Sequence, residues 1–351
     1  MSDFLQQLGL VPFFIQQLAD IDLLHNRLAR VTSVQRSRST VVCGSGERSV
    51  ELATALRQST ALDRPTVGDW VVLDESLAKI EKVLERKSLF KRLGSGGGNE
   101  LQPIAANIDI LFIVTSCNEE FKESRLERYL ALCAEAGAMP VIVLTKADLA
   151  DDADSFIRRA RSTQAGVPVE AVNALDPATL DAVRSWVGTT TTVALVGSSG
   201  VGKSTLLNTL AGHSLSATSE IRDNDKKGRH TTTHRELHRL PSGGLLVDVP
   251  GMRELRVAEI EQSIGAVFDD IALLAEHCRF ADCQHEAEPG CAVLRAIEEN
   301  GFDSRRLANY KKLLRENAHA TASLAEKRSQ GRNFAKMVKE VKLIKQKKGD
   351  E

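Results

Sequence analysis

Residues 197–204 read GSSGVGKS, and this stretch restricts the fold more than any other part of the chain. It satisfies G-x-x-x-x-G-K-[ST], with Gly197, Gly202, Lys203 and Ser204 at the fixed positions. The apolar run TTVALV precedes it and the helix-forming run STLLNTLAG follows. A strand that turns through glycines into a helix aims backbone N–H groups and the positive end of the helix dipole at a phosphate. Lys203 is expected to reach the β- and γ-phosphates and Ser204 to ligate Mg²⁺. Ser198, Ser199, Gly200, Val201 and Thr205 complete the expected cradle.

The flanking periodicity agrees. IDILFIVTS (Ile108 to Ser116) and MPVIVLTKAD are continuous apolar runs, as in strands buried on both faces. Helical spacing follows in SRLERYLALCAEAG, SFIRRARSTQAG and PATLDAVRSWVG, with VPVEAVNA as a further strand and GGLLVDVPG ending in another. Alternating strands and helices predict a mostly parallel α/β sheet. Ahead of it, residues 1–25 read as helical, with a break at Pro12. From Arg27 to about Phe90, RLARVTSV, STVVC, SVELATAL, GDWVVLD and KIEKVL read as short strands of a small barrel or sandwich. LGSGGGNE (Leu93 to Glu100) predicts a flexible connection. From about Val257 onward the pattern is helical.

The base is read elsewhere. TKAD (Thr145 to Asp148) matches [NT]KxD at the C-terminal end of a predicted buried strand, where open α/β sheets bind ligands. A carboxylate at Asp148 accepts from guanine N1–H and N2–H₂, groups that adenine does not present there. Lys146 is expected to lie along the base and the phosphate loop, with Ala147 beside it. VNAL places Asn173 and Ala174 where a backbone N–H meets guanine O6. DVPG (Asp248 to Gly251) offers Asp248 to Mg²⁺ and the Gly251 N–H to the γ-phosphate. A threonine of GRHTTT, among Thr231, Thr232 and Thr233, closes on Mg²⁺ and the γ-phosphate, and Thr232 is favoured. The order TKAD, VNAL, GSSGVGKS, HTTT, DVPG is a circular permutation of the usual one, with the base-reading half first. The position after DVPG, where many GTPases carry a water-orienting Gln, is Met252. Slow intrinsic hydrolysis is therefore expected. His230 is the candidate to position water, ahead of Arg229 and His234.

Cys278-x₄-Cys283-x-His285-x₅-Cys291 supplies three thiolates and one imidazole, a donor set suited to structural zinc, with His277 as a competing ligand. The remaining cysteines of the six, Cys43, Cys117 and Cys133, are scattered and read as small buried residues. The formal net charge of −1 hides an asymmetry: between Arg305 and Lys348 there are 14 Lys or Arg and three Glu. An acidic body with a basic tail suits a polyanionic partner. Aromatic residues make up 4%, so nucleic-acid contact would rest on charge more than stacking. Arg27, Arg30, Arg36, Arg38, Arg86, Lys87, Lys91 and Arg92 are the candidate phosphate contacts of the N-terminal region. The opening segment lacks the basic start and apolar run of a signal peptide, and no stretch approaches the length of a membrane span, so a cytoplasmic protein is expected. A monomer is expected as well.

On the permuted motif order, GRHTTT, QPIAANID (Gln102 to Asp109) and the Cys/His cluster, nearly the whole chain resembles the ribosome small subunit-dependent GTPase A family, also called RsgA or YjeQ. The resemblance implies a multi-domain chain: an N-terminal OB-fold β-barrel, a central, circularly permuted α/β P-loop GTPase domain and a C-terminal helical zinc-binding domain. The corresponding boundaries are a helical extension 1–26, the RNA-binding barrel 27–100, the GTPase domain 101–256, the zinc domain 257–325 and a basic tail 326–351. It implies GTP or GDP with Mg²⁺, one structural Zn²⁺, and late assembly of the small ribosomal subunit with its 16S rRNA as partner. A GTP-gated binding module and a factor acting on complete ribosomes are the competing readings.

Overall fold

Strand-forming runs assort into two kinds of sheet according to how their apolar residues are spaced. The computed structural model describes residues 3–18, 27–35, 38–94, 100–213, 236–248, 260–299 and 301–322. In the N-terminal region apolar residues alternate or cluster in short runs. They form β1 (Leu28–Val34), β2 (Ser39–Cys43), β3 (Gly46–Leu52), β4 (Trp70–Leu73) and β5 (Lys79–Val83). The order is β1-β2-β3-β5-β4, and β4 returns to pair with β1, so the sheet closes on itself. Only β3 and β5 run parallel; the other pairs are antiparallel. This is the five-stranded Greek-key closure of an OB-fold. Its interior is Ala29, Val31, Val41, Cys43, Val50, Val71, Leu73 and Ile80.

SVELATAL divides. The strand ends at Leu52, and Thr54–Gln58 is helical, because alanine, leucine, arginine and glutamine favour a helix once the ladder is left. The N-terminal residues form helices Asp3–Gln7 and Pro12–Ile15, with Pro12 in the first turn of the second, where its missing N–H costs nothing. Leu5, Leu8, Leu10 and Phe14 cover Leu28, Trp70, Val72 and Leu84 on the barrel.

β6 (Leu89–Leu93) pairs with β7 (Leu101–Ala106). Beyond them the apolar runs are continuous and the sheet turns parallel. It comprises β8 (Ile110–Ser116), β9 (Met139–Thr145), β10 (Val169–Ala171), β11 (Thr192–Val196), β12 (Glu236–Arg239) and β13 (Leu245–Asp248), in the order β10-β9-β8-β11-β13-β12. β12 alone is antiparallel to its neighbour β13. All seven residues of β8 are buried, as its central place requires. The helix Glu123–Ala136 ends at Gly137 with φ 78°, a left-handed cap that glycine adopts without strain. Phe112, Val114, Val141, Val143, Val193, Leu206, Leu207 and Leu210 are central to the core.

Barrel and parallel sheet are one hydrogen-bonded sheet, joined where β1 meets β12 at Ser33↔Glu236. The described residues fall into two compact units, one with barrel and parallel sheet, the other with the Cys/His cluster and its helices. In the second unit the helices Asp269–Ala275 and Ala292–Glu298 are followed by helical residues 304–322. Arg306 Nε donates to Asp270 Oδ2 at 2.6 Å, and the Ile260 N–H donates to Asn317 Oδ1 at 3.0 Å.

Arg30 is a correction to the candidate phosphate contacts. It is 1% exposed and lies inside the fold, with its guanidinium spent on internal oxygens. Arg86 is likewise committed: Nε donates to Asp69 Oδ1 and Nη2 to Asp69 Oδ2, both at 2.8 Å. Arg27 donates to Glu81, Lys87 pairs with Asp109 and Lys91 with Glu135, while Arg38 is 56% exposed and 3.5 Å from Glu51. Arg36, most of LGSGGGNE, GRHTTT, Gly251, Met252 and the basic tail lie outside the described residues.

Candidate active site

The parallel sheet reverses its order between β8 and β11, and the nucleotide motifs gather at that end. Gly197 follows β11, Lys146 follows β9, Asn173 and Ala174 lie just beyond β10, and Asp248 is the last residue of β13. Carboxyl ends of parallel strands at an order reversal form the crevice that open α/β sheets use for ligands.

Glycine is required in the phosphate loop for two different reasons. At Gly197, φ is 148° and a Cβ would lie 2.1 Å from the Val114 carbonyl oxygen, so the loop presses against β8. At Gly202, φ is 88° and the residue caps the helix Lys203–Ala211, with its carbonyl accepting from the Leu206 N–H at 2.9 Å. The start of this helix points its N–H groups into the crevice. Lys203 Nζ donates to the Ser198 carbonyl, so its side chain folds over the loop.

The TKAD loop is bonded to the phosphate loop. Thr145 is fully buried; its Oγ1 lies 2.6 Å from the Val201 carbonyl oxygen and 3.2 Å from that of Thr115. One hydroxyl proton serves one acceptor at a time, and the shorter contact is to Val201. Lys146 has φ 57° and ψ 30°, a left-handed conformation that turns its side chain back, and Nζ donates to the Gly200 carbonyl at 3.0 Å. Lys146 therefore lies along the phosphate loop.

Asp148 sits in the single 3₁₀ turn Ala147–Leu149. Asn173 Nδ2 donates to Asp148 Oδ2 at 3.1 Å, and Asn173 Oδ1 accepts from the Leu175 N–H at 2.9 Å. Both faces of the amide are satisfied in this orientation. Thr209 Oγ1 donates to the Ala174 carbonyl at 2.7 Å, tying the third loop to the phosphate-loop helix. Sequence reasoning missed Thr115, Thr209 and Val114, which act through backbone oxygens or long-range contacts that no motif encodes.

Ser204 in the first turn of its helix and Asp248 at the end of β13 offer a hydroxyl and a carboxylate, hard oxygen donors that fit Mg²⁺. Candidate residues Thr231, Thr232, Thr233, His230, Arg229, His234, Gly251 and Met252 fall outside the described residues.

In the second unit, one ligand atom from each of Cys278, Cys283, His285 and Cys291 lies within 4.8 Å of the others. A tetrahedral zinc with Zn–S near 2.3 Å and Zn–N near 2.0 Å has ligand–ligand edges of about 3.8 Å (S···S) and about 3.5 Å (S···N). Here Cys278 Sγ is 3.8 Å from Cys291 Sγ, and His285 Nδ1 is 3.7 Å from Cys278 Sγ and 3.3 Å from Cys291 Sγ. The residues fit zinc, and the histidine presents Nδ1. Cys291 caps the helix Ala292–Glu298, its sulfur accepting from the Leu294 N–H at 3.4 Å, while Lys311 Nζ donates to the His285 carbonyl at 2.7 Å. His277 is exposed and stands outside the cluster. Cys43, Cys117 and Cys133 are buried, and burial pushes the Cys133 thiol up to about 12.

A phosphate loop bonded to a base-reading loop that precedes it along the chain, on one parallel sheet, defines a circularly permuted P-loop GTPase. The model of the RsgA GTPase family matches residues 83–258. The chain is 46% identical over 347 residues to "Small ribosomal subunit biogenesis GTPase RsgA 2" of Vibrio parahaemolyticus, covering 99% of this chain and 95% of that one. It is 45% identical over 325 residues to "Small ribosomal subunit biogenesis GTPase RsgA" of Mesorhizobium japonicum, covering 91% and 92%. Among solved structures, YjeQ from Thermotoga maritima superposes with a TM-score of 0.62 at 26% identity, over 83% of this chain and 98% of that one. YloQ, described as a circularly permuted GTPase, shares the fold with a TM-score of 0.59 at 23% identity, over 85% and 97%. This chain belongs to the RsgA GTPase family and is a P-loop GTP hydrolase.

Proposed function

We propose that this GTPase binds the small ribosomal subunit, acts in its late maturation and hydrolyses GTP to GDP and phosphate to drive its own release, with the subunit stimulating hydrolysis. The observation that carries this reading is the near full-length similarity, at 46% and 45% identity, to proteins named for small ribosomal subunit biogenesis.

Each side chain has a role in the reading. Asp148 accepts from guanine N1–H and N2–H₂, Asn173 holds that carboxylate, and the Ala174 N–H donates to guanine O6. Lys146 lies along the base. Lys203 and the N–H groups of Gly197 to Thr205 hold the phosphates. Ser204, Asp248 and Thr232 hold Mg²⁺, which neutralises charge on the β- and γ-phosphates when bound. The Gly251 N–H meets the γ-phosphate. Met252 cannot orient water, so His230 positions the nucleophile and the unstimulated rate is slow. Zinc on Cys278, Cys283, His285 and Cys291 staples the small helical unit.

Contact with 16S rRNA falls to the barrel and the basic tail. A cavity of about 460 Å³ at the barrel surface is lined by Arg38, Arg57 and Arg64 against the single carboxylate of Glu51, a surplus of positive charge suited to phosphodiesters. No helix among the described residues is long and apolar enough to cross a membrane, and we place the protein in the cytoplasm as a monomer.

The test is GTP hydrolysis with and without purified small subunits, using ATP as control. Strong stimulation confined to GTP is the expected result. GTP turnover indifferent to subunits would remove the proposed partner and leave the nucleotide site standing. Stimulated turnover unaffected by His230→Ala would remove the role of that histidine.

A further inference from the structure

Strand β1 belongs to the barrel and to the nucleotide sheet together. Within the barrel it pairs with β2 through Val31↔Val41 and with β4 through Arg30↔Trp70. At its far end Ser33 pairs with Glu236 of β12, and Glu236 lies opposite Asp248 of β13. Ser33, Glu236 and Asp248 thus form one cross-strand row. At about 4.8 Å per strand, Ser33 is about 10 Å from the backbone of the carboxylate assigned to Mg²⁺. Glu236 also follows closely on Thr231 to Thr233 in the chain.

A second tie leaves β1 three residues earlier. Arg30 is fully buried, and its guanidinium donates to four separate segments. Nη1 donates to the Leu8 carbonyl at 2.6 Å and Nε to the Gly68 carbonyl at 3.0 Å. Nη2 donates to Thr192 Oγ1 at 3.1 Å and to the Asn107 carbonyl at 3.4 Å. Burial lowers its pKa to about 10, with Asp109 and Asp69 opposing the shift, so it stays charged at neutral pH. Thr192 opens β11, the strand that runs straight into Gly197. Its N–H donates to Asp109 Oδ2 at 2.8 Å, which fixes the start of the strand. β11 is hydrogen-bonded on both edges, to β8 and to β13, so a shift at Thr192 is carried along the strand rather than absorbed by bending.

We infer that β1 is the element through which occupation of the barrel changes GTP turnover, and that Arg30 is the positioning residue that keeps β1 in step with the phosphate-loop strand. The inference rests on the reading that the barrel contacts the small subunit. Ligand bound at the barrel displaces β1. The Arg30–Thr192 bond then acts on the phosphate loop, and the Ser33–Glu236 pair acts on the Asp248 strand. A planar fork meeting four acceptors is what an arginine supplies and a lysine cannot.

The experiment compares wild type, Thr192→Val and Arg30→Lys for thermal unfolding, GTP affinity, basal turnover and subunit-stimulated turnover. Thr192→Val removes one acceptor at nearly constant shape and keeps the test available if Arg30→Lys does not fold. The expected result is wild-type GTP affinity and basal kcat for Thr192→Val. Its stimulated kcat should be about tenfold lower, at an unchanged half-saturating subunit concentration. Arg30→Lys, where folded, should not restore the coupling. Equal stimulation of the variants and wild type would overturn the inference while leaving the proposed partner intact. A parallel fall of basal and stimulated rates would also overturn it, since that is the mark of a merely structural role. Wild type that no subunit stimulates would sink the partner reading itself, and the coupling with it.

Discussion

Thr145 Oγ1 stands 2.6 Å from the carbonyl oxygen of Val201, a contact between residues 56 apart in the chain. It joins the TKAD loop to the GSSGVGKS loop. Val201 is fully buried, so water cannot take over from the hydroxyl. Losing the donor strands a buried carbonyl, at about 1–3 kcal/mol. Thr145→Val should therefore weaken GTP binding about tenfold, with Thr145→Ser near wild type, in a titration with fluorescent GTP. Equal affinity for the Val variant would show that the two loops hold their places without this bond.

Asp148 is exposed, and Asn173 Nδ2 donates to its Oδ2 at 3.1 Å. Asp148→Asn keeps an acceptor for guanine N1–H but sets a donor against N2–H₂. One charge-assisted bond is lost to a donor–donor clash and the other becomes neutral, and GTP affinity should fall at least about 100-fold. Xanthosine triphosphate, which presents a carbonyl in place of the amino group, should gain. Competition binding with the two nucleotides and ATP decides it; undiminished GTP preference would take guanine selection away from Asp148.

Gly197 has no room for a side chain. A Cβ would meet the Val114 carbonyl at 2.1 Å and φ is 148°, outside the range of an L residue. Gly197→Ala should cost about 3 kcal/mol or more in stability and abolish nucleotide binding in any folded fraction. Gly200, where a Cβ meets nothing within 4 Å, gives the contrast: Gly200→Ala should fold, carrying only the strain of φ 78°. Urea unfolding of both variants checks the ranking, and equal stabilities would contradict it.

Zinc removal should act on the small unit alone. Dialysis against a strong chelator should release one zinc per chain, loosen the helices around Cys278 and Cys291, and leave GTP affinity near wild type. Cys278, Cys283 and Cys291 should then react with a thiol reagent. Cys117 and Cys133, whose thiols burial raises to about 11 and about 12, should stay silent until the chain unfolds. Cys291→Ser should lose the metal and His277→Ala should keep it; the reverse would reassign the fourth ligand.

Much of this protein is legible along the chain because local patterns carry it. The phosphate loop needs glycines and a lysine at fixed spacing, so Gly197 to Ser204 announce it without any partner in space. Continuous apolar runs such as Ile110–Ser116 mark parallel strands, since both faces of such a strand are covered. The Cys/His cluster declares itself because the loops between Cys278 and Cys291 are short. SVELATAL reads as one strand, but the strand ends at Leu52 and a helix begins at Thr54, a change of element that its alternation does not mark.

Arg30 marks the limit of such reading. Along the chain it is one more arginine in a basic region, indistinguishable from Arg38. Only the closure of β1 against β4, the covering of that end by the N-terminal segment and the approach of Thr192 enclose its guanidinium among carbonyl oxygens. The same holds for Thr145 and Val201. The sequence determined which groups were present and which elements they sat on, because periodicity and motif spacing act over a few residues. The tertiary structure decided which of those groups meet, because burial and hydrogen bonding between distant segments depend on how strands assemble, and that assembly has no local signature.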